Sequence, residues 1–307
     1  MSIIDLPATT TEKISKRLVA LRTATGNPAV SRVLTLVVCV EDGEDVELAI
    51  SAAGTANREH PCRVIIVAKG QRYAATRLDA QIRVGGDAGA SEVVVLRLYG
   101  PLADHGDSVV IPFLLPDTPV VAWWPGLAPE VPAEDPIGAL ASRRVTNSIT
   151  AADAAASLAK LVHGYAPGDT DLVWARATPI RSILTASLDE PNYEPVTEAV
   201  VLGPEPSITL DLVAGWLAAR LAVPVRRGAG SLEISLHRHG GTLSLTQDRR
   251  GNGRVVRPGR PESAVSLFHQ DVPALLAQEL RFMDPDEVYE QALQGFGSVT
   301  KDEEAAA

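Results

Sequence analysis

Arginine, histidine and tryptophan are the residues of this chain whose types and spacing invite a chemical reading. Eight arginines fall between Arg226 and Arg260, with Arg249, Arg250, Arg254 and Arg257 at their centre, against only Glu233 and Asp248 as acids. Guanidinium forks suit carboxylate and phosphate alike, so the stretch reads either as a solvated basic hairpin or as an electrostatic contact for an acidic protein, a phosphorylated ligand or nucleic acid. No aromatic residue interleaves the arginines, which counts against single-stranded nucleic acid. His237 and His239 would share one face of a strand, yet no third ligand accompanies them, so no metal site is expected.

The signatures of catalysis are missing. After the first aliphatic run stands Glu41-Asp42-Gly43-Glu44-Asp45, four carboxylates where a dinucleotide-binding turn would offer glycines and bare amides. The glycines of Val84-Gly85-Gly86-Asp87-Ala88-Gly89 are wrongly spaced for that role and read as a turn. Neither a Walker loop, a G-x-S-x-G elbow nor an H-E-x-x-H helix occurs. No catalytic residue and no cofactor is expected.

Tryptophan carries the remaining signal. Trp123 and Trp124 adjoin in the extended run Pro119-Val120-Val121-Ala122-Trp123-Trp124-Pro125-Gly126. Successive strand side chains leave on opposite faces, so the two rings need separate cover, from helices of the same chain or from a partner. A second segment reads Gly168-Asp169-Thr170-Asp171-Leu172-Val173-Trp174-Ala175-Arg176-Ala177-Thr178-Pro179-Ile180-Arg181. On a helix Trp174, Thr178 and Arg181 share a face, and Pro179 either ends a first turn or kinks the helix. Tryptophan and arginine dominate binding hot spots, although Trp174 could equally bridge two domains and Arg181 could pair with Asp169 or Asp171.

Together the two segments resemble the glucose-6-phosphate dehydrogenase assembly protein (OpcA) family, in which an aliphatic run enters Trp-Trp-Pro-Gly and a later segment carries aspartate, Trp-Ala-Arg, a Thr-Pro step and an arginine. The resemblance implies a non-catalytic cytoplasmic protein that binds glucose-6-phosphate dehydrogenase as a hetero-oligomer, favours its active state and so supports the oxidative pentose phosphate pathway and NADPH supply. Trp123, Trp124, Pro125, Trp174, Arg176, Pro179 and Arg181 are the partner-binding residues it points to. Cyanobacterial members are thought to respond to redox state through cysteines near the carboxyl end. Here no cysteine follows Cys62, so thioredoxin control by that route is not expected. A sugar-phosphate-binding module or enzyme using residues 226–260 is the alternative.

Composition sets the frame for these segments. The chain has 307 residues, 46% of them hydrophobic, a formal net charge of -10 and a pI near 5.1. That is long enough for two domains and too acidic for a surface built around nucleic acid or anionic lipid. No apolar run approaches the roughly 18 residues of a membrane helix, and no secretory signal opens the sequence. Cys39 and Cys62, each in an aliphatic run, read as buried thiols, though adjacent parallel strands could bring them together for a redox role.

Periodicity predicts two α/β domains: an N-terminal one with a mostly parallel sheet and flanking helices, and a C-terminal one with a mixed sheet, a hairpin and closing helices. The expected boundaries are a helix and linker over 1–29, domains over 30–135 and 150–297, and a flexible tail over 298–307. Thr150 with Asp153 reads as one helix start. Asp284 with Pro285 and Glu287 reads as another.

Overall fold

The computed structural model describes residues 2–25, 32–41, 44–85, 92–149, 151–189, 194–248, 250–268 and 270–302. The Gly26-Asn27-Pro28 break, Asp42, Gly43, residues 86–89, Thr150, Arg249 and the end of the tail lie outside them. The chain runs β1 (Ser2–Leu6), α1 (Thr11–Thr25), β2 (Leu34–Val40), α2 (Val46–Glu59), β3 (Cys62–Lys69), β4 (Arg77–Val84) and β5 (Glu92–Tyr99). It continues through α3 (Gly106–Val110), β6 (Val120–Trp123), β7 (Arg143–Thr146), α4 (Ala154–His163), β8 (Asp169–Asp171), α5 (Leu172–Arg176) and α6 (Thr178–Leu188). The remaining elements are β9 (Glu198–Gly203), α7 (Ile208–Leu221), β10 (Val225–Ala229), β11 (Glu233–Arg238), β12 (Gly241–Gln247), β13 (Asn252–Val256), β14 (Ser263–Ser266), α8 (Val272–Glu279), α9 (Glu287–Gly295) and β15 (Val299–Lys301).

Two units emerge, and their sequences interleave. The first comprises Met1–Asn147, Gly164–Leu172 and Asp271–Pro285; the second comprises Ser148–His163, Val173–Gln270 and Asp286–Ala307. Contiguous domains over 30–135 and 150–297 therefore need correction, because β8 and α8 join the first unit: β8 extends its sheet and α8 packs on α2. Residues 1–29 are no separate appendage either. β1 pairs antiparallel with β4, Ile4 opposite Ile82, and Ile14 and Leu18 of α1 enter the core beside Leu78 and Phe113.

The first unit is built on an eight-stranded sheet of order β1-β4-β5-β3-β2-β6-β7-β8. Every pairing from β5 to β8 is parallel, and β1 and β4 are the antiparallel exceptions. All seven residues of β2, Leu34 to Val40, are buried, as an uninterrupted aliphatic strand covered on both faces must be. Counted from β2, the parallel strands read 3-2-1-4-5-6, the order of a doubly wound dinucleotide-binding sheet, which reverses between β2 and β6. At the mouth of α2, Glu47 accepts from both terminal nitrogens of Arg83 at 2.6 and 2.7 Å. The hydrogen bond from Arg83 holds the Glu47 carboxyl below its ordinary value. The stability it contributes is therefore complete above the unfolded value near 4.5 and lost as pH falls through the folded one. Glu47→Gln should flatten that part of the acid limb in urea melts taken as a function of pH; an unchanged limb excludes the linkage.

Cys39 and Cys62 are free and buried. Burial raises both thiols, Cys62 to about 12. In the β2–β3 ladder Cys62 stands opposite Leu34 and Cys39 opposite Val67, so five residue steps, roughly 17 Å, separate them. Their approach as a redox pair is excluded by register.

The second unit carries a seven-stranded mixed sheet, β14-β13-β12-β11-β9-β10-β15. The expected hairpin is present, with Leu236 opposite Leu243 and Arg238 opposite Gly241. Helix α7, buried from Ile208 to Leu217 save Thr209, packs against α9. Part of the expected flexible tail is a strand: Val299–Lys301 pairs parallel with β10. The helix starts also shift. Asp153 caps α4 alone among described residues by accepting from the Ala156 amide at 2.9 Å. Asp286, not Asp284, caps α9, accepting from the Val288 and Tyr289 amides at 3.0 Å each. The carbonyl of Asp284 instead accepts from Arg143.

Candidate functional site

In the first unit the Trp-Trp-Pro-Gly segment leaves the carboxyl end of β6, beside the point where the strand order reverses. Both rings are inside, Trp123 at 0% and Trp124 at 1% exposure. Trp124 joins the cluster of Val37, Cys39, Val120 and Ala122, and strand alternation sends Trp123 to the opposite face. The chain covers both rings itself. An exposed aromatic grip at Trp123 and Trp124 is thus a reading to be corrected; the buried rings fix the position of the Pro125-Gly126-Leu127 turn.

That turn is held by a carboxylate lock. Glu44 accepts from the Leu127 amide at 2.6 Å and from the Glu41 amide at 2.9 Å. A Cβ at Gly126 would meet the Glu44 carboxylate, so a side chain there would have to push it aside. Gly138 lies even closer to its surroundings, and its Cβ would stand 1.8 Å from the Pro132 carbonyl oxygen. Lys69 pairs with Glu41 at 3.0 Å and Asp135 at 3.6 Å, and Pro125 accepts from Asn147. In a nucleotide-binding sheet the same crevice receives a pyrophosphate on bare amides. Here Glu44 takes the Glu41 and Leu127 amides, and Glu41 and Asp135 flank it with Lys69 between them. Leu127 projects from the lock at 67% exposure.

The second motif splits between two short helices. α5 ends at Arg176, and α6 starts at Thr178 with Pro179 in its first turn, so Pro179 opens a helix and does not kink one. Trp174 is fully buried and donates through Nε1 to the Asp286 carboxylate at 2.7 Å. Its ring lies 5.6 Å from that of Tyr289, and the Arg181 guanidinium stacks over it at 3.6 Å. Arg181 also donates to Thr178 at 3.0 Å. The aspartates of the segment have other tasks in the first unit: Asp169 holds buried Arg144, and Asp171 accepts from the Thr146 hydroxyl at 2.6 Å. Trp174 is again an internal strut, whereas Arg176, Pro179 and Arg181 remain partly accessible.

Beside Arg181 runs a groove of about 570 Å³ lined by Thr178, Ser182, Thr185, Trp216 and Arg220 among others. Neither Trp216 nor Arg220 stood out in the sequence, although they lie four residues apart on one face of α7, the spacing that could have revealed them.

Part of the arginine-rich stretch is charge-compensated. Its counter-charges come from elsewhere in the chain: Arg226 pairs with Glu198, buried Arg227 with Asp211 and Glu205, and Arg254 with Glu262. Arg257 donates to Ser263 at 2.6 Å, Arg250 is exposed, and Arg249 lies outside the described residues. His237 contacts the Thr242 hydroxyl. Among the described residues no group of three or more His, Cys, Asp or Glu is placed to hold a metal, and no helix is long and apolar enough to cross a membrane.

Comparison with protein families matches both domains of the OpcA glucose-6-phosphate dehydrogenase subunit, the N-terminal domain over residues 53–163 and the C-terminal domain over residues 167–293. No curated protein sequence matches. Among solved structures, UDP-N-acetylglucosamine 3-dehydrogenase from Acidithiobacillus ferrooxidans is 10% identical, covering 86% of this chain and 96% of that one with a TM-score of 0.40. Biliverdin reductase from Synechocystis sp. PCC 6803 gives 11% identity, the same coverages and a TM-score of 0.40. Levoglucosan dehydrogenase with NADH and L-sorbose gives 9% identity over 88% and 91%, again at 0.40.

Proposed function

We propose that this chain, which belongs to the OpcA family of glucose-6-phosphate dehydrogenase subunits, is a non-catalytic assembly factor and allosteric activator of that dehydrogenase. The observation that carries the reading is the pairing of family membership with a crevice locked by carboxylates. A sheet ordered like a nucleotide-binding one has the Glu44 carboxylate bonded to the Leu127 and Glu41 amides at its reversal point, which favours a scaffold over an oxidoreductase. In the cytoplasm such a partner would raise oxidative pentose phosphate flux and NADPH supply.

Contact with the dehydrogenase falls to the residues that the tryptophans present, not to their rings. Leu127 after the lock is one such residue; Arg176, Pro179 and Arg181 around Trp174 are others. Activation requires that the docked surface fit the active state better, and a tenfold preference corresponds to about 1.4 kcal/mol. By reciprocity, glucose 6-phosphate or NADP favouring that state must tighten docking by the same factor. Pairing of Arg226, Arg227 and Arg254 with acids leaves the sugar-phosphate alternative fewer guanidinium groups to draw on.

The test titrates purified dehydrogenase with this chain at micromolar concentration, following rate and co-migration. Leu127→Asp and Arg181→Ala, each confirmed folded by circular dichroism, should raise the concentration for half-activation about tenfold or more for whichever residue lies at the centre of the contact. If wild-type chain and enzyme migrate separately and the rate stays flat, the activator reading fails.

A further inference from the structure

The second unit contains a cavity of about 450 Å³ whose wall includes Arg176 and Pro179, residues also offered above as a contact, and whose interior that contact leaves unexplained. Its volume falls within the roughly 300–1,000 Å³ of small-molecule sites. Ile180, Leu210, Leu232 and Leu267 supply apolar wall, and Phe268, 74% exposed, stands at the edge. Arg176, at the carboxyl end of α5, brings a guanidinium to the same space.

That guanidinium stands apart from the buried arginines of this protein. Each of those holds a carboxylate: Arg83 holds Glu47, Arg143 holds Glu279, Arg144 holds Asp169 and Arg227 holds Asp211. Arg176 is itself partly buried, yet has no hydrogen-bond or ion-pair partner among the described residues. One acid, Asp248, also lines the cavity, and its own turn engages it. The Asp248 carboxylate accepts from the amides of Arg250 and Asn252 and from the Asn252 side chain, at 2.8 to 3.0 Å. Those bonds hold its carboxyl below the ordinary value and orient it within its own turn. A guanidinium without a protein counter-charge, at a hollow lined by polar and apolar groups in about equal share, is completed by an anion that carries an apolar body.

We infer that this cavity binds a small organic anion, with the carboxylate or phosphate head on Arg176 and an apolar body against Ile180 and Leu232. The site is distinct from the 226–260 arginines and does not depend on the activator reading, because binding is measured on this chain alone.

The probe is 8-anilinonaphthalene-1-sulfonate, an aromatic body with a sulfonate head, followed by its fluorescence on the full chain. Saturable one-to-one binding is expected, displaced by benzoate or phenyl phosphate and not by benzyl alcohol; which of the two anions displaces better identifies the preferred head. Arg176→Gln should weaken the probe at least tenfold, and Leu232→Trp, which fills the hollow, should do the same. Arg250→Gln should leave it unchanged. Thermal melts verify that the variants fold, and the displacement series on the wild-type chain needs no variant. Equal displacement by benzyl alcohol, or undiminished binding in folded Arg176→Gln, would overturn the assignment. So would a probe signal that does not saturate.

Discussion

Trp124→Ala is expected to lower the unfolding free energy by about 3–5 kcal/mol, the range for emptying a buried tryptophan site. The ring is 1% exposed among Val37, Cys39 and Ile137, and it meets Gly138, whose backbone is already pressed against the Pro132 carbonyl. Against a typical total of about 5–15 kcal/mol, the variant should be partly unfolded near body temperature. Urea denaturation followed by far-ultraviolet circular dichroism measures it, and a loss below about 1 kcal/mol would contradict the packing described. Trp124→Phe should recover much of the loss, for a specific reason. The Trp124 indole nitrogen is buried with no hydrogen-bond partner among the described residues, so phenylalanine removes an unsatisfied donor along with the lost area. This also decides how activation is dissected. A failed Trp124→Ala chain reports unfolding, and only exposed residues such as Leu127 report contact.

Asp286→Ala should cost about 2–4 kcal/mol, combining two losses on one side chain. One carboxylate oxygen caps α9 through the Val288 and Tyr289 amides, and the other accepts from the Trp174 indole. The alanine variant removes the cap and leaves a fully buried N–H without its acceptor. Asp286→Asn keeps a capping oxygen, although its amide can serve only one of the two roles through that oxygen, so it should lie between wild type and alanine. If alanine and asparagine variants melt together near wild type, Asp286 does not organise the motif. Because Trp174 carries Arg181 on its face, the alanine variant should also misplace that guanidinium and weaken activation beyond what its residual folded fraction explains.

Strand and helix identity was largely legible in order along the chain. The aliphatic run of β2, the Ile208–Leu221 helix and the hairpin through Gly241 all stand where their periodicity put them. β7 and β8 escaped, since Arg143-Arg144-Val145-Thr146 and Asp169-Thr170-Asp171 carry charge at positions the fold nonetheless buries. Arg144 and Asp169 are buried as each other's partner, and Arg143 with Glu279, so the burial depends on residues 25 and 136 positions away. No window of sequence contains both halves of such a pair. Within the arginine-rich segment, Arg226 and Arg227 are compensated in the same way, by Glu198 and Asp211 from earlier elements.

The sequence alone determined the family, through Trp-Trp-Pro-Gly and Trp-Ala-Arg with its Thr-Pro step, and the α/β class, through local alternation of apolar residues. Both are properties of neighbours along the chain. Only the tertiary structure decided that the tryptophans face inward, that Glu44 closes the crevice at the sheet's reversal point, and that Arg176 borders a hollow without a counter-ion. Burial and charge compensation are sums over everything within a few ångströms, and folding brings that company together from segments far apart in sequence.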